Sequence, residues 1–491
     1  MMNRGSFSRA AALVAAVTLG VSGQASAQQV LFENVQVVDF STEANDQPMD
    51  VLVSEGLIIS VDPSSDDRAD PSGDTQIVDG AGRYLMPGLA DMHAHIASEE
   101  GGLAYLVNGI TTVRNLTGSV FHSAFNAQVL SGDLPGPRIY TTGPIIDGSE
   151  PVRPDISVAV ADAAEARGAV RAQKRSGFSA IKLYENLTPE AFTAAAETAE
   201  EMDMQVSAHT PRSMAVTDLL DLKIDTIEHL DGYADALARD GFEPRNSRFP
   251  EQEYWNALDE TKIDALVGLT LAAGTWNSPT LTLTGTRYDA LADVDAFMAQ
   301  DAFQIIPAED VEYWPQAEQW MKYYVGGAAG EAASQGRMVK ALFDAGAPLL
   351  LGTDAPNPFV IPGYAIHREI ENWRNAGIPL NDILRIATSE AARYLGKDNE
   401  AGRIAAGMQA DLILLNNDPR LDSSTLEKPA GVMVAGHWRN RTELDRHIRR
   451  CTAQNHKAQQ KIVVHLLFEN LEVELAVMKC RQRRRHIVLM H

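Results

Sequence analysis

Between residues 28 and 86, short apolar runs alternate with stretches rich in Gly, Ser and Asp, which is the pattern of strands separated by turns. A similar texture returns near the other end of the chain, between residues 399 and 440. Two β-rich pieces on either side of a long central segment predict a small β-sandwich-like domain assembled from both chain ends. The runs behind this prediction are Val30–Phe32, Val35–Val38, Leu57–Val61, Ala410–Leu415 and Gly431–Gly436.

The central segment, residues 87–398, alternates apolar strand-like runs with amphipathic stretches such as Pro189–Met202 and Ala333–Ala345. This alternation is typical of parallel βα units. Eight such runs predict an α/β fold of the (β/α)8 TIM-barrel type. The eight runs are Gly88–His95, Thr111–Leu116, Arg138–Ile145, Ala180–Tyr184, Gln205–His209, Thr226–His229, Thr275–Leu281 and Pro348–Asp354.

The first 27 residues have the three parts of a secretory signal. Arg4 and Arg9 form a positive region, Ala10–Val21 is a short apolar run, and Ala25–Ala27 reads as a cleavage site before Gln28. The apolar run is shorter than the roughly 20 residues that a membrane-spanning helix needs. We therefore expect a periplasmic or secreted protein with no transmembrane segment.

Charge and cysteine content narrow the possible partners. The formal net charge is −24, and an acidic surface of this kind repels nucleic acid. The two cysteines, Cys451 and Cys480, both lie in the C-terminal tail, so the main body has no disulfide framework. That tail, residues 441–491, is basic, with Arg483–Arg485 near its end, and we assign it no role.

His93 and His95 stand at the end of the first predicted barrel strand. Residues two apart on a strand point to the same face, so the two imidazoles project together. At the carboxyl end of a barrel strand, such a pair is well placed to share a metal ion. Taken alone, the short motif is also compatible with two surface histidines near a turn.

Further polar residues end other predicted barrel strands. Because a barrel projects such residues toward one cavity at its C-terminal mouth, we expect them to converge with the His-x-His pair. Six side chains meeting there by chance is improbable, so we predict a metal site. The additional residues are Lys182 on the fourth strand, His209 on the fifth, His229 on the sixth and Asp354 on the eighth.

The motif P-G-L-x-D-x-H-x-H at residues 87–95, followed by strand-end Lys, His, His and Asp, resembles the amidohydrolase superfamily. Ala387–Gly396 and Gly407–Leu412 are similar to the family's closing helix and its return to the small β-domain. The resemblance covers about residues 28–440. Within the superfamily it is nearest to imidazolonepropionase-like amidohydrolases and to prolidase- or carboxypeptidase-like metal-dependent dipeptidases.

The resemblance implies two divalent metal ions, with zinc preferred for an imidazole-rich hydrolytic site. His93, His95 and Asp354 would hold one ion, and His209 and His229 the other. Lys182 would bridge both ions as an N-carboxylated lysine, because an ammonium group cannot act as a ligand. Burial favours the neutral amine that this modification requires. A single-metal site with an unmodified or ion-paired Lys182 stays open as the alternative.

The resemblance also implies amide hydrolysis, in which a metal-bound hydroxide attacks the carbonyl carbon. Asp354 would accept the proton and pass it to the leaving amine, although its local sequence also suits a helix N-cap. Tyr184, two residues beyond Lys182, is a candidate donor to the developing oxyanion, and a packed tyrosine is the competing interpretation.

Three further residues are candidates for binding a substrate carboxylate, namely Arg212, His367 and Arg368, with ordinary surface ion pairing as the alternative. We therefore expect a secreted amidohydrolase whose partner is a small molecule or short peptide, either a dipeptide or an N-acyl amino acid. Hydrolysis of a cyclic amide, a lactone or a phosphotriester would use the same site. A non-catalytic binding protein is a third interpretation, and assembly into a homo-oligomer is left open.

Overall fold

The computed structural model describes residues 29–40, 47–65, 73–244, 250–300, 302–303, 306, 314, 325–450 and 452. The predicted signal peptide and most of the predicted tail lie outside these residues. Within the described part of the chain, no helix is both long and apolar enough to cross a membrane.

The described residues form seventeen strands, numbered here in chain order. They are β1 (Gln29–Val37), β2 (Met49–Ser54), β3 (Leu57–Pro63), β4 (Thr75–Asp79), β5 (Tyr84–Pro87), β6 (Leu89–Ala94), β7 (Ile110–Asn115), β8 (Arg138–Thr141), β9 (Ile145–Asp147), β10 (Ser157–Ala159), β11 (Ala180–Leu183), β12 (Gln205–Ala208), β13 (Thr226–Glu228), β14 (Trp276–Ser278), β15 (Leu412–Leu415), β16 (Gly431–Val434) and β17 (His437–Asn440).

One eight-stranded sheet contains strands from both ends of the chain. Its order is β17-β16-β15-β5-β1-β2-β3, and β4 pairs with β1. The two runs predicted between Val30 and Val38 fall on the single strand β1, whose pairing register with β2 shifts where Asn34 adopts a φ of 56°. The side chains of this sheet form a separate hydrophobic core. In it, the rings of Phe32 and Trp438 pack edge to face, with 5.0 Å between their centroids.

The central strands are parallel and form two further sheets, β6-β7-β8 and β10-β9-β11-β12-β13-β14. They account for seven of the eight predicted barrel strands. The third predicted strand is divided into β8 and β9, and the seventh is reduced to the three residues of β14.

The eighth predicted strand, residues 348–354, is bonded to neighbours on both sides although it is not a regular strand. The amide of Leu350 donates to the carbonyl of Asn277 in β14 at 2.8 Å, and the amide of Met92 in β6 donates to the carbonyl of Leu351 at 2.8 Å. The junction between β8 and the larger parallel sheet is bridged as well. The amide of Gly143, just after β8, donates to the carbonyl of Ala180 in β11 at 3.2 Å. Backbone hydrogen bonds therefore cross both junctions between the parallel sheets.

Helices follow most of the central strands and pack on them around one large apolar core. Strand-like runs thus give way to amphipathic helices, as the sequence pattern predicts. The helices are Glu99–Val107, Val120–Leu130, Ala163–Arg175, Pro189–Glu201, Val216–Asp221, Tyr233–Leu237, Pro250–Asn256, Ile263–Ala273, Thr282–Ala292, Val294–Met298, Val325–Asp344, Ala365–Asn375, Leu380–Arg385 and Ala391–Tyr394, with a π-helical turn at Ile386–Glu390.

The beginning of the predicted tail belongs to the folded body. Residues 441–450 are helical, and Leu444 is fully buried in the main core. Arg441 donates to the backbone carbonyl of Val107 at 3.3 Å. The sequence analysis begins the tail at residue 441 because the charge of the chain changes there. The apolar face of the helix at 441–450 nevertheless packs into the main core.

Candidate active site

The structure brings the predicted metal-binding residues to the carboxyl ends of the central strands. All of them line one cavity of about 780 Å³, and so does the predicted catalytic tyrosine. Parallel strands present their carboxyl ends at the same edge, which is why residues far apart in sequence meet there. The seven residues are His93, His95, Lys182, Tyr184, His209, His229 and Asp354.

Asp354 is the centre of this cluster. Its Oδ1 atom lies 2.9 Å from Nε2 of His95 and 3.4 Å from Nε2 of His93, and its Oδ2 atom lies 3.8 Å from Nε2 of His229. One ligand atom each from His93, His95 and Asp354 falls within 4.8 Å of the others. Two imidazoles and a carboxylate at this spacing form a donor set suited to a divalent cation such as zinc.

Lys182 supplies a second observation in favour of a metal. Its side chain is 1% exposed, and its Nζ atom has no hydrogen-bond partner. Burial lowers the pKa of Lys182 to about 8 despite the nearby carboxylate of Glu228. A buried amine without a partner is costly, and Lys182 lines the same cavity as His93, His95 and Asp354.

Each of the four candidate metal-binding histidines places Nδ1 within 2.8 Å of an oxygen atom of a neighbouring side chain. Contacts of this kind fix the orientation and tautomer of a metal-binding imidazole. The sequence analysis names none of these partners. The Nδ1 pairs are His93 with Glu228 (2.8 Å), His95 with Thr117 (2.7 Å), His229 with Thr280 (2.7 Å) and His209 with Asp231 (2.5 Å).

A detectable signal exists for three of the four partners. Thr117, Thr280 and Asp231 each lie one or two residues beyond a strand end or a cavity histidine, on the loops that border the mouth. Glu228 gives no such signal, since strand alternation should point it away from the face of His229. His229 adopts a φ of 59°, so the alternation ends at that residue and both side chains reach the interior.

Glu228 is tied to a buried arginine beneath the site. Nη2 of Arg114 lies 2.9 Å and 3.1 Å from the two carboxylate oxygens of Glu228, and Nη1 lies 3.0 Å from the hydroxyl of Tyr394. Burial alone would raise the pKa of Glu228, but the charges of Arg114, Lys182 and His93 together outweigh it and lower the pKa. Glu228 is therefore a carboxylate that accepts a hydrogen bond from His93.

Tyr184 lies over the ring of His209, with 4.3 Å between ring centroids. Burial, reinforced by the negative charge of Glu185, raises the pKa of Tyr184. The phenol is thus protonated at neutral pH and has an O–H available for donation into the cavity.

Among the described residues that line this cavity, none is one of the three predicted carboxylate-binding residues. Arg212 donates to Glu185 at 2.7 Å and is 66% exposed. His367 is buried, both ring nitrogens lack partners, and burial lowers its pKa to about 3. Arg368 lines a separate cavity of about 170 Å³ and lies over the ring of Tyr364.

A cationic side chain that the sequence does not single out does line the metal cavity. Arg153 comes from the loop between β9 and β10, which also contributes Asp155 and Ile156. This loop has no strand-end pattern or metal-ligand spacing, so nothing in the sequence distinguishes Arg153 from a surface arginine.

These features define a metal-binding hydrolase site on an α/β fold. The profile of the Amidohydrolase family matches residues 84–439, and the chain belongs to this family. It is accordingly a hydrolase that acts on amide bonds. The resemblance drawn from the motifs is confirmed at the level of the family.

The following individual proteins are only distantly similar to this chain in sequence. Bottromycin amidohydrolase superposes with a TM-score of 0.70 at 25% identity, covering 87% of this chain and 90% of its own. A Xaa-Pro dipeptidase with methionine bound in its active site gives a TM-score of 0.62 at 19% identity, covering 84% and 100%, which shows the fold alone. An uncharacterized protein of Mycobacterium tuberculosis is 24% identical over 373 residues, 72% of this chain and 85% of that protein.

Proposed function

We propose that this protein is an exported, metal-dependent amidohydrolase that cleaves an amide bond in a small substrate, a dipeptide or an N-acyl amino acid. The site would stand at the mouth of a (β/α)8 barrel carrying a small β-domain built from both chain ends. One observation carries the proposal: a buried, unpartnered lysine shares a cavity of about 780 Å³ with the four candidate metal-binding histidines and Asp354.

The donor set fits divalent metal, since imidazole nitrogens and a carboxylate oxygen already converge within 4.8 Å. His93, His95 and Asp354 would hold one ion. His209 and His229 would hold a second, with Lys182 as an N-carboxylated bridge. Zinc is the metal we propose. When bound, such ions polarise a carbonyl group and lower the pKa of a water molecule.

The residues of the chain would supply proton transfer and orientation. Burial alone would raise the pKa of Asp354, but the charge of His93 and hydrogen bonds from His93 and His95 outweigh it and hold the pKa well below its usual range. Asp354 is therefore ionised at neutral pH, the form that a general base requires, and would accept a proton from the attacking water and return it to the leaving amine. Tyr184, still protonated, would donate its O–H to the carbonyl oxygen as negative charge develops there.

A substrate panel tests the reaction. Protein beginning at Gln28, loaded with zinc and with its metal content measured, is incubated with dipeptides and N-acyl amino acids, and released amino acids are quantified. We expect release that disappears in Asp354→Asn. Failure of metal-loaded protein to release amino acid from any compound would contradict the proposal and direct the search to cyclic amides, lactones and phosphotriesters.

Export is tested separately. The Arg4, Arg9 and Ala25–Ala27 pattern predicts that the protein recovered from the periplasm or medium starts at Gln28. N-terminal sequencing of protein from fractionated cells gives the answer directly. Full-length protein found in the cytoplasmic fraction would contradict export without affecting the proposed chemistry.

A further inference from the structure

The loop between β9 and β10 places a cation at the wall of the metal cavity. Arg153 lines the cavity together with Asp155 and Ile156 from the same loop. Apart from Lys182 at the metal-ligand cluster, Arg153 is the one Lys or Arg among the described residues lining this cavity. A positive charge at this position attracts an anionic group on the substrate.

The donors of Arg153 are almost unused. Its Nη2 atom lies 3.4 Å from Oδ2 of Asp155, a long contact, and the two side chains are 54% and 63% exposed. The guanidinium of Arg153 makes no other hydrogen bond or ion pair with a described residue. Exposed ion pairs of this type contribute little to stability, so a stronger acceptor displaces Asp155 at small cost.

Arg153 shares the cavity with the catalytic side chains. Tyr184, the phenol proposed to contact the reacting carbonyl, lines the same cavity, and its ring lies 4.3 Å from that of His209 between centroids. A substrate bound at the metal ligands therefore occupies the cavity into which the Arg153 loop opens.

We propose that Arg153 binds the free carboxylate of the substrate and that Asp155 is the internal competitor which this carboxylate displaces. The inference rests on the proposed amidohydrolase function and assigns its specificity. A guanidinium suits a carboxylate because two parallel N–H groups match its two oxygens. Asp155, held at a single long contact, occupies those donors only weakly when substrate is absent.

The neighbouring wall adds a second selection. Ile156 and Val158 continue from the Arg153 loop along the cavity, and Phe121 lines it as well. The group next to the carboxylate therefore meets apolar side chains, which favours substrates derived from apolar amino acids over those with charged side chains.

The decisive experiment compares an acid with its uncharged analogue. N-acetyl-L-leucine and N-acetyl-L-leucinamide share the scissile bond and differ only in the carboxylate. For wild type we expect a clear preference for the acid. Arg153→Met should raise KM for the acid by about 10- to 100-fold with a smaller change in kcat, the loss expected for a charge-assisted hydrogen bond, and leave KM for the amide within about twofold.

Asp155→Asn tests the competitor. Because this variant frees the guanidinium, KM for the acid should fall, opposite in direction to Arg153→Met, while KM for the amide stays unchanged. Arg153→Lys should restore part of the acid preference, since an ammonium keeps the charge but not the paired geometry. Arg167→Met is the matched control and should behave as wild type. It removes an exposed arginine of the helix Ala163–Arg175, whose Nη1 atom lies 4.0 Å from Oε2 of Glu197.

Binding measured by calorimetry separates the two proposals. If wild type hydrolyses neither compound, the proposed function fails for this substrate class, and the binding of N-acetyl-L-leucine still decides the role of Arg153. Weaker binding of the acid in Arg153→Met, with binding of the amide unchanged, supports the inference. Equal effects of Arg153→Met on acid and amide, or no preference for the acid in wild type, would overturn it.

Discussion

Nδ1 of His93 lies 2.8 Å from Oε2 of Glu228, and that carboxylate is held in turn by Arg114 at 2.9 Å. The chain of contacts fixes which nitrogen of His93 carries the proton and leaves Nε2 facing Asp354. All three residues are buried, so the arrangement is insulated from solvent. Glu228 is thus a positioning residue for the metal site.

Glu228→Gln should weaken metal binding by about 10- to 100-fold, the usual cost of losing the partner of a metal-binding histidine. The variant keeps the shape of the side chain but leaves the charge of Arg114 buried without a carboxylate, so the free energy of unfolding should fall as well. Competition with a chelating dye measures the first quantity, and denaturant unfolding the second. Wild-type values for both would show that Glu228 does not position His93.

Lys182→Ala should abolish turnover, and millimolar formate or propionate should restore part of it. The expectation follows from a proposed bridging carboxylate on Lys182, whose place a short carboxylic acid can occupy in the space that the missing side chain leaves. Lys340→Ala, which removes a surface lysine paired with Asp344, is the control and should keep full activity with or without the acid. Full activity of Lys182→Ala would exclude the bridging role.

The strand ends could be predicted from the sequence because their signals are local. The His-x-His pair follows strand alternation, and His209, His229 and Asp354 each end an apolar run. The Glu228–Arg114 contact could not be predicted, since it joins residues 114 positions apart whose meeting depends on how the strands are arranged. Arg153 could not be predicted for a related reason. Its place at the cavity depends on the course of a loop that has no repeating sequence pattern.

Gly352 leaves the space that His93 requires. A Cβ atom at this position would lie 2.7 Å from Cβ of His93 and 2.7 Å from Oγ of Ser278. Gly352→Ala should therefore displace His93, weaken metal binding and lower the free energy of unfolding by about 1–3 kcal/mol. Both effects are measured as for Glu228→Gln.

The control for Gly352→Ala is a glycine with open space. Gly168 lies within the helix Ala163–Arg175, and a Cβ there would meet nothing within 4 Å. Gly168→Ala should raise the free energy of unfolding by about 0.5–1 kcal/mol and leave metal affinity unchanged. If the two variants behaved alike, crowding at His93 would not be the cause.

Glu369 joins the helix Ala365–Asn375 to the segment that follows β14. Its carboxyl oxygens accept hydrogen bonds from the amides of Leu281 and Thr282, at 2.9 and 2.7 Å, and from Nε1 of Trp373 at 2.7 Å. Glu369→Gln would turn an amide group toward these donors and should cost about 1–3 kcal/mol in thermal or denaturant unfolding. Glu371→Gln, on the exposed side of the same helix, should change stability by less than about 0.5 kcal/mol.

The pH dependence of stability in the Glu369→Gln and Glu371→Gln variants is a second, independent test. Burial raises the pKa of Glu369 from 4.5 to about 7. Between these values the folded state binds the proton more tightly than the unfolded state, so this group makes stability fall as pH rises toward 7. Glu369→Gln should lack that part of the slope and Glu371→Gln should retain it, as denaturant titrations at pH 5, 6 and 7 would reveal.

The C-terminal segment provides the last prediction. Leu444 is fully buried, and Ile448 packs against the same core, so a chain ending at Asn440 loses part of the main hydrophobic core. We expect it to unfold at lower temperature than a chain ending at Thr452, which keeps both residues. Leu444→Ala in the full chain should lower the free energy of unfolding by about 2–5 kcal/mol, as for other buried leucines. Equal stability of the two shortened chains would show that the helix at 441–450 contributes nothing to the core. A chain ending at Thr452 that matched the full chain in stability and metal content would confine any role of residues 453–491 to something other than folding.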